Sequence, residues 1–470
     1  MSARRIEVKL SNERLITPSG LTTVGDILNG SSLNTNVNAV SSGKRSAPYI
    51  PNSDIFRTYI GMLCRAKPAF EAVKEMVEGD DEFYKLALGI DKELPLEVCL
   101  RQRMDEMGKD MGAEMRTAIL KTNISLFRNW NIEPTALANG YVPVDIDVTP
   151  MDNSKTKKEG VSRTYKGFDG YAPIMVYIGI EGYCICVELR EGKQHCQKGT
   201  AYLLREVLKL CRQITNKPLL IRMDSGNDAT ENLGILLEAN AGFIIKRNIR
   251  SECKNEWLDN AQKWCLPENI HYPREGKIVY IGSTWREVIY TNSKGKKVTK
   301  TMRMVYEIIE RNIDKHGQIS LEPQIEVNTY WTNTDLTDDE VNDLYHKHGE
   351  SEQFHSEFKT DMDIERLPSG KFATNSLVLE LAMIAYNILR IMGQVSLLSG
   401  TTPKTKHEVK RRRIRTVIDN LISIAGHVTT HCRKTVLALG RSNVWRHAFM
   451  NLYNRFAPIG CSSRCAFYSG

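Results

Sequence analysis

Residues 141–149 read YVPVDIDVT. Apolar and polar residues alternate, Val and Ile dominate, and Gly140 stands just before, so the stretch predicts a β-strand. It also marks a change of period. From residue 55 to about residue 130, Tyr59, Met62, Leu63, Phe70, Val73 and Met76 recur at steps of three and four, the spacing of a helical face. Beyond the strand, IMVYIGI (174–180) and YCICVELR (183–190) read as two more strands joined at Glu181-Gly182. GTAYLLREVLKLCRQI (199–214) reads as an amphipathic helix, and PLLIRMD (218–224) as a strand buried on both faces. ATENLGILLEANAG (229–242) follows as a helix ending at Gly242, and FIIKRN (243–248) as a strand.

The resulting order, β-β-β-α-β-α-β, resembles the ribonuclease H-like fold. Residues 249–335 break the rhythm with KIVYIGS, REVIY, KKVTKTMRMVYEII and QIEVNTYW, a turn at Asn292-Ser293-Lys294-Gly295, and Trp257, Trp264, Trp285 and Trp331. They read as a β-rich insertion. From Asp335 on the pattern is helical again. Residues 29–48, rich in Ser, Asn and Gly, read as a flexible connection or an irregular arm. The predicted architecture is an α/β core with a β-rich insertion, flanked by helical N- and C-terminal regions. Its parts are a mostly helical N-terminal region at 1–135, the core at 136–248 and 336–400, the insertion at 249–335, and a basic helical C-terminal region at 401–470.

Composition narrows the function classes. A chain of 470 residues exceeds one ordinary core, and an apolar content of 41% is that of a globular protein. A net charge of +8 suits a polyanionic partner without requiring one. The 11 cysteines are scattered and odd in number, and MSARRIEVKLSNERL has no apolar leader, which predicts free thiols in the reducing cytoplasm. The longest apolar run, residues 376–393, is interrupted by Glu380, Asn387 and Arg390 and reads as a buried helix rather than a membrane span.

Three acidic positions could carry chemistry. Asp145 and Asp147 sit in the first strand, and Asp224 ends PLLIRMD. Carboxylates at the ends of neighbouring strands share a crevice, and hard divalent ions take carboxylate oxygens. A strand-end Asp by itself only starts a turn. In YHKHGESEQFHSEFK (345–359), Tyr345, His348, Glu352 and Lys359 fall within roughly 60° of one face of a uniform helix. Glu350 and Glu357 lie more than about 90° away from that stripe. The plain alternative is a solvated face of paired charges.

With these motifs in place, the chain resembles the DDE transposases of bacterial insertion sequences, in the group with a Tyr-Arg-Glu-Lys signature. Asp147-Val148-Thr149 resembles the first acidic motif, and Arg222-Met223-Asp224-Ser225-Gly226 the second. Tyr345, His348, Glu352 and Lys359 resemble the third, with His348 where Arg is usual and Asn227 where an aromatic residue often follows Asp-Ser-Gly. The resemblance covers residues 50–400. It implies a ribonuclease H-like core, DNA binding by the helical N-terminal region at 1–135, and catalytic, metal-binding Asp147, Asp224 and Glu352. It further implies two Mg²⁺ ions, with Mn²⁺ able to substitute, and Tyr345, His348 and Lys359 on DNA phosphates. The implied activity is cleavage at terminal inverted repeats and strand transfer, cut-and-paste, by a homodimer on DNA in the bacterial nucleoid. Asp145 shares a strand face with Asp147, but the Asp-x-Thr spacing selects Asp147. The altered Asn227 is expected to change only local packing.

Other signals are weaker. Residues 404–415 carry Lys404, Lys406, Lys410, Arg411, Arg412, Arg413 and Arg415 with one acid, Glu408, which reads either as a DNA-backbone contact or as a solvated helix face. Lys294, Lys296, Lys297, Lys300 and Arg303 decorate the expected insertion hairpin and suit a ribbon that tracks DNA. His427 and His431, placed on a helix, and Cys461 and Cys465 have ligand spacing for zinc, although coincidence is the plainer reading. Two rival functions are a DNA-binding descendant without catalysis and a nuclease that cuts but does not join.

Overall fold

The computed structural model describes residues 6, 8–41, 43, 47–314, 316–404, 407–432 and 434–457. The chain forms two compact units, each assembled from separate segments. One comprises residues 131–360 and 365–383, and the other residues 1–130, 361–364 and 384–470.

The first of these units is built on a sheet of nine strands: β1 (Val142–Val148), β2 (Ile174–Ile178), β3 (Tyr183–Glu188), β4 (Leu219–Met223), β5 (Gly242–Arg247), β6 (Ile270–Arg274), β7 (Lys277–Thr291), β8 (Lys297–Ile313) and β9 (Ile319–Thr332). Their order is β6-β7-β8-β9-β5-β4-β1-β2-β3. β1 pairs parallel with β4 and antiparallel with β2, β4 pairs parallel with β5, and β2 pairs antiparallel with β3. Helices α1 (Thr200–Arg212) and α2 (Thr230–Glu238) connect β3 to β4 and β4 to β5, as parallel pairing requires. β1 therefore lies inside the sheet. Its Val142, Val144 and Ile146 are fully buried, which leaves Asp145 and Asp147 together on the opposite face.

Residues 249–335 do not form a body of their own. β9 pairs antiparallel with β5 from Thr329↔Arg247 to Thr332↔Ile244, so the insertion strands lengthen the same sheet. Helix α3 (Lys254–Trp264) precedes them, a helix within the region read as β-rich. Its Leu258 and Ala261 are buried beside Trp257 and Cys265, a helical spacing visible in the sequence. The expected hairpin turn is present, with Asn292 donating its amide to Lys296 O at 2.9 Å and Gly295 at φ 74°.

In the other unit, helices Asn52–Leu63, Asp81–Leu88, Glu97–Asp110 and Gly112–Asn129 agree with the predicted helical N-terminal region. Residues 29–48 depart from expectation. Helix Leu33–Asn38 buries Leu33 and Val37, and Asn36 and Asn38 donate to Thr122 Oγ1 and Ser53 Oγ, each at 3.0 Å. The asparagines taken as loop formers anchor a helix instead; residues 42 and 44–46 lie outside the described residues. The C-terminal region is not simply helical either. Strands Gly426–His431 and Lys434–Leu439 pair with each other, and the first also pairs with Leu15–Ile16. Thr429, Thr430, Thr435 and Val436, β-branched and all but Thr435 exposed, favour that hairpin. Helix Phe372–Leu398 is long and apolar enough to cross a membrane by length and composition, but 94% of its most apolar window is buried, as in a core helix.

Candidate active site

Asp145 and Asp147, neighbours on one strand face, have different surroundings. Asp145 is buried and takes both arms of Arg222, Nε to Oδ1 and Nη2 to Oδ2, at 2.7 Å each. Arg222 Nη1 donates to Leu344 O at 2.9 Å, and His348 Nδ1 lies 2.7 Å from Asp145 Oδ1. Burial pushes the Asp145 carboxyl up, but Arg222 and His348 more than offset it and hold it below its usual range. Asp145 thus ties β1 to β4 and to the helical segment after Leu344, and its contacts are made within the protein.

Asp147 is only partly buried. Its Oδ1 accepts the Val148 amide at 2.7 Å, and its Oδ2 lies 3.3 Å from His355 Nε2. The other ring nitrogen of His355 lies 3.3 Å from the Tyr177 hydroxyl. Burial pushes Asp147 up, but the bond to and charge of His355, with His348 and the Val148 amide, leave it below its usual range. Asp224 goes the other way, raised first by burial and then by the negative charge of Asp147. Asp224 ends β4, and the buried Asn227 donates to its Oδ1 at 2.8 Å across the short turn Ser225–Asn227. Asn227 therefore does more than alter packing: it orients an acidic side chain.

The third motif is not one uniform helix. Helix α4 (Asp338–His346), opened by a Thr337/Glu340 capping box, gives way to a 3₁₀ turn at Lys347–Gly349, then α5 (Glu350–Ser356), then a π-turn at Glu357–Asp361. A 3₁₀ turn winds faster than an α-helix and a π-turn slower, so the predicted single stripe does not hold. His348 is turned inward onto Asp145 rather than outward as expected. Tyr345 is half-buried, its ring 4.5 Å from that of Tyr330. Burial first, then Asp224 and Asp147, raise the Tyr345 hydroxyl. Lys359 donates to Pro150 O at 3.1 Å and is lowered by burial. Glu352 is exposed, whereas Glu357 is buried. Gly182, at φ 71°, lets α5 approach, since a Cβ there would meet Phe354 Cε1 at 2.4 Å.

Tyr165 lies against the first motif. Its hydroxyl lies 3.3 Å from Val148 O, and it is pushed up to about 12 by burial first, then by Asp147, Asp224, Cys196 and Glu352. The donors are all carboxylate oxygens, the set a hard divalent ion takes, and the charge strain between Asp147 and Asp224 is what such an ion relieves. Among the described residues, no three His, Cys, Asp or Glu side chains are drawn close enough to hold one. The mutual action of Asp147 and Asp224 fits a metal, while Glu352 stands in solvent near them.

A family model described as a transposase DDE domain, group 1, matches residues 2–461. The chain belongs to that family. Among solved structures it is similar to a piggyBac transposase synaptic complex with hairpin DNA, at 10% identity and a TM-score of 0.39, covering 86% of this chain and 78% of that one. That overlap is too loose to assign residues. No curated protein matches the chain.

The remaining predicted residues divide sharply. Lys296 and Lys297 are exposed at the insertion hairpin. Arg412 is buried, donates to Thr402 Oγ1 at 2.6 Å and lies 5.2 Å from the Trp445 ring centroid. Arg413 grips Asp361 with two bonds of 2.9 Å. Both guanidinium groups are thus engaged within the protein, Arg413 while exposed, and the described part of residues 404–413 contains no helix, so the expected basic helix face is corrected. Arg411 is partly buried. Of the insertion tryptophans, Trp331 is buried with its Nε1 on Asp228 at 3.1 Å, and Trp264 and Trp285 are exposed. His427 and His431 lie on a strand rather than a helix, and Cys461 and Cys465 lie outside the described residues. Sequence reasoning missed His355 and Tyr165. His355 had a signal, since it falls three residues after Glu352 on the same short helix.

Proposed function

We propose that this protein is an active transposase that cuts DNA at terminal inverted repeats and joins the liberated ends to target DNA. The order β3-β2-β1-β4-β5, with β2 antiparallel to its neighbours, supports a ribonuclease H-like core. The observation that carries the reading is the parallel pairing of β1 with β4, Ile146 opposite Met223, which sets Asp147 and Asp224 side by side in a chain of the transposase DDE domain family. Asp147 and Asp224 would hold Mg²⁺, with Mn²⁺ able to substitute, and Glu352 would complete the set when DNA is bound. A bound pair of such ions would lower the pKa of an attacking water or 3′-hydroxyl and stabilise the leaving oxygen.

The chain's own residues do the rest. His355 and the Val148 amide fix the Asp147 carboxylate, and the Asn227 amide fixes that of Asp224, so neither must reorganise as charge develops. Lys359, and the exposed Lys296 and Lys297 of the hairpin, would meet phosphates. A homodimer on paired ends and a bacterial insertion-sequence origin complete the proposal.

The test uses a plasmid carrying the reading frame with its flanking DNA. Asp147→Asn, Asp224→Asn and Glu352→Gln should each abolish Mg²⁺-dependent cleavage while still binding that DNA. Pre-cut ends with free 3′-hydroxyls should be joined by the wild type. Cleavage by Asp224→Asn at the wild-type rate would overturn the reading, and cutting without joining would reduce it to a nuclease.

A further inference from the structure

Between β1 and β2 the chain makes a small three-stranded sheet whose tip carries Tyr165. Met151–Asp152 directly follows the Asp147-Val148-Thr149 motif and pairs with Asp169–Tyr171, which pairs in turn with Ser162–Arg163. Its tip, residues 164–168, is closed by Thr164, whose amide and Oγ1 both donate to Phe168 O at 2.8 Å. Gly170 lets the strands close up, since a Cβ there would sit 2.0 Å from Met151 O. The tip is thus tied by backbone bonds to the segment that carries Asp147.

What the tip presents is unusual for a structural turn. Tyr165 is 69% exposed, and its hydroxyl is tied to Val148 O, the residue after Asp147. The ring is therefore oriented by its polar end and keeps an open face. Lys166 is exposed, its Nζ 5.9 Å from the Tyr165 ring centroid, with no carboxylate partner among the described residues. Its charge reaches Lys359 and lowers it further. Arg163 is also exposed and touches Asp169 only at 3.9 Å. A phosphate backbone approaching three carboxylates is repelled, and cations beside the acids offset that repulsion. An aromatic face offers a base a stacking surface of any sequence.

We propose that this tip is a DNA-binding subsite beside the scissile phosphate, with Tyr165 stacking on a base or sugar and Lys166 meeting a phosphate. The proposal rests on the transposase reading above and adds a substrate contact to it.

The experiment measures cleavage of the same flank-bearing plasmid against DNA concentration. Tyr165→Ala and Lys166→Ala should each raise the half-saturating DNA concentration by about tenfold, within the range of one stacked base. Tyr165→Phe, which keeps the ring, should recover most of that loss. Lys166→Ala should flatten the dependence of log affinity on log salt by about 0.9, while Tyr165→Ala leaves it unchanged. Both side chains are exposed, so unchanged melting curves check the fold. If both alanine variants saturate as the wild type does while Asp224→Asn is dead, the subsite is wrong and the transposase reading stands. If Asp224→Asn also cleaves, both fall together.

Discussion

At the scale of single residues, two aspartates two positions apart do different work because of what faces them. Asp145 is sealed against Arg222 and His348, whereas Asp147 keeps an open side toward Asp224. Asp145→Asn leaves the buried Arg222 guanidinium without its counter-charge, which costs about 3–5 kcal/mol. It should lower the melting temperature strongly, while Asp147→Asn should abolish cleavage and melt near the wild type. Equal melting of the two would refute the division. His348 adds a pH dependence. Burial pulls its pKa down, but Asp145 and then Asp147 more than offset this, so the folded value lies above the ordinary histidine range. The stability it contributes is therefore full below about pH 6.5 and is lost as pH rises through the folded pKa. The lowered pKa of Asp145 acts at the other end, lost only as pH falls into the acid range. In metal-free buffer, thermal melts of the wild type should weaken between pH 6 and 9 more than those of His348→Gln. Parallel curves would show that the pair does not titrate with folding.

At the scale of elements, what the sequence revealed was whatever has a single period. The strands from YVPVDIDVT to FIIKRN and their connecting helices were legible because alternation and apolar runs persist over whole elements, and they placed Asp147 and Asp224. The third motif was legible in composition but not in phase. A 3₁₀ turn before α5 and a π-turn after it rotate the side chains, which turned His348 inward while leaving Glu352 outside. Long-range pairing was not legible at all: nothing local says that β9 joins β5, or that Arg413 meets Asp361. The same phase argument gives a prediction. Glu352→Gln should lose cleavage and keep its melting temperature, while the buried Glu357→Gln should melt earlier. The opposite pattern would mean that the acid of the third motif is misassigned. The two basic segments separate likewise. Replacing Lys296 and Lys297 by Ala should flatten the slope of log DNA affinity against log salt by about 0.9 per lost contact. Arg412→Ala and Arg413→Ala should lower stability and leave that slope alone, since both guanidinium groups are already engaged within the protein. A reversed result, with the slope changed by the arginines, would return residues 404–413 to the DNA surface.

At the scale of the whole molecule, the chain is interleaved rather than serial. Read along the sequence, residues 1–135 and 401–470 look like separate regions on either side of a core. In the structure, residues 1–130, 361–364 and 384–470 form one unit. Backbone pairing binds its ends together: Leu15–Ile16 pairs with Gly426–His431, Ser19 Oγ donates to Ile424 O at 2.6 Å, and the buried Asn387 donates to Asn123 Oδ1 at 2.7 Å. Gly20 shows how close the packing is, since a Cβ there would sit 1.9 Å from Leu421 O. Cooperative folding of this unit therefore requires that both ends of the chain be present. A protein ending at Met383 retains every strand of the nine-stranded sheet but removes the partners of Ile16, Ser19 and Asn123. The missing contacts expose buried apolar side chains such as Leu21, Val24 and Ile27. Limited proteolysis of that shortened protein should cut first within residues 8–130, while residues 131–360 remain protected. Adding residues 384–470 as a separate polypeptide should restore protection if the unit can assemble from two pieces. Early cleavage within β1 to β5 instead, or full protection of residues 8–130 without the C-terminal segment, would show that the N-terminal helices fold as an independent domain.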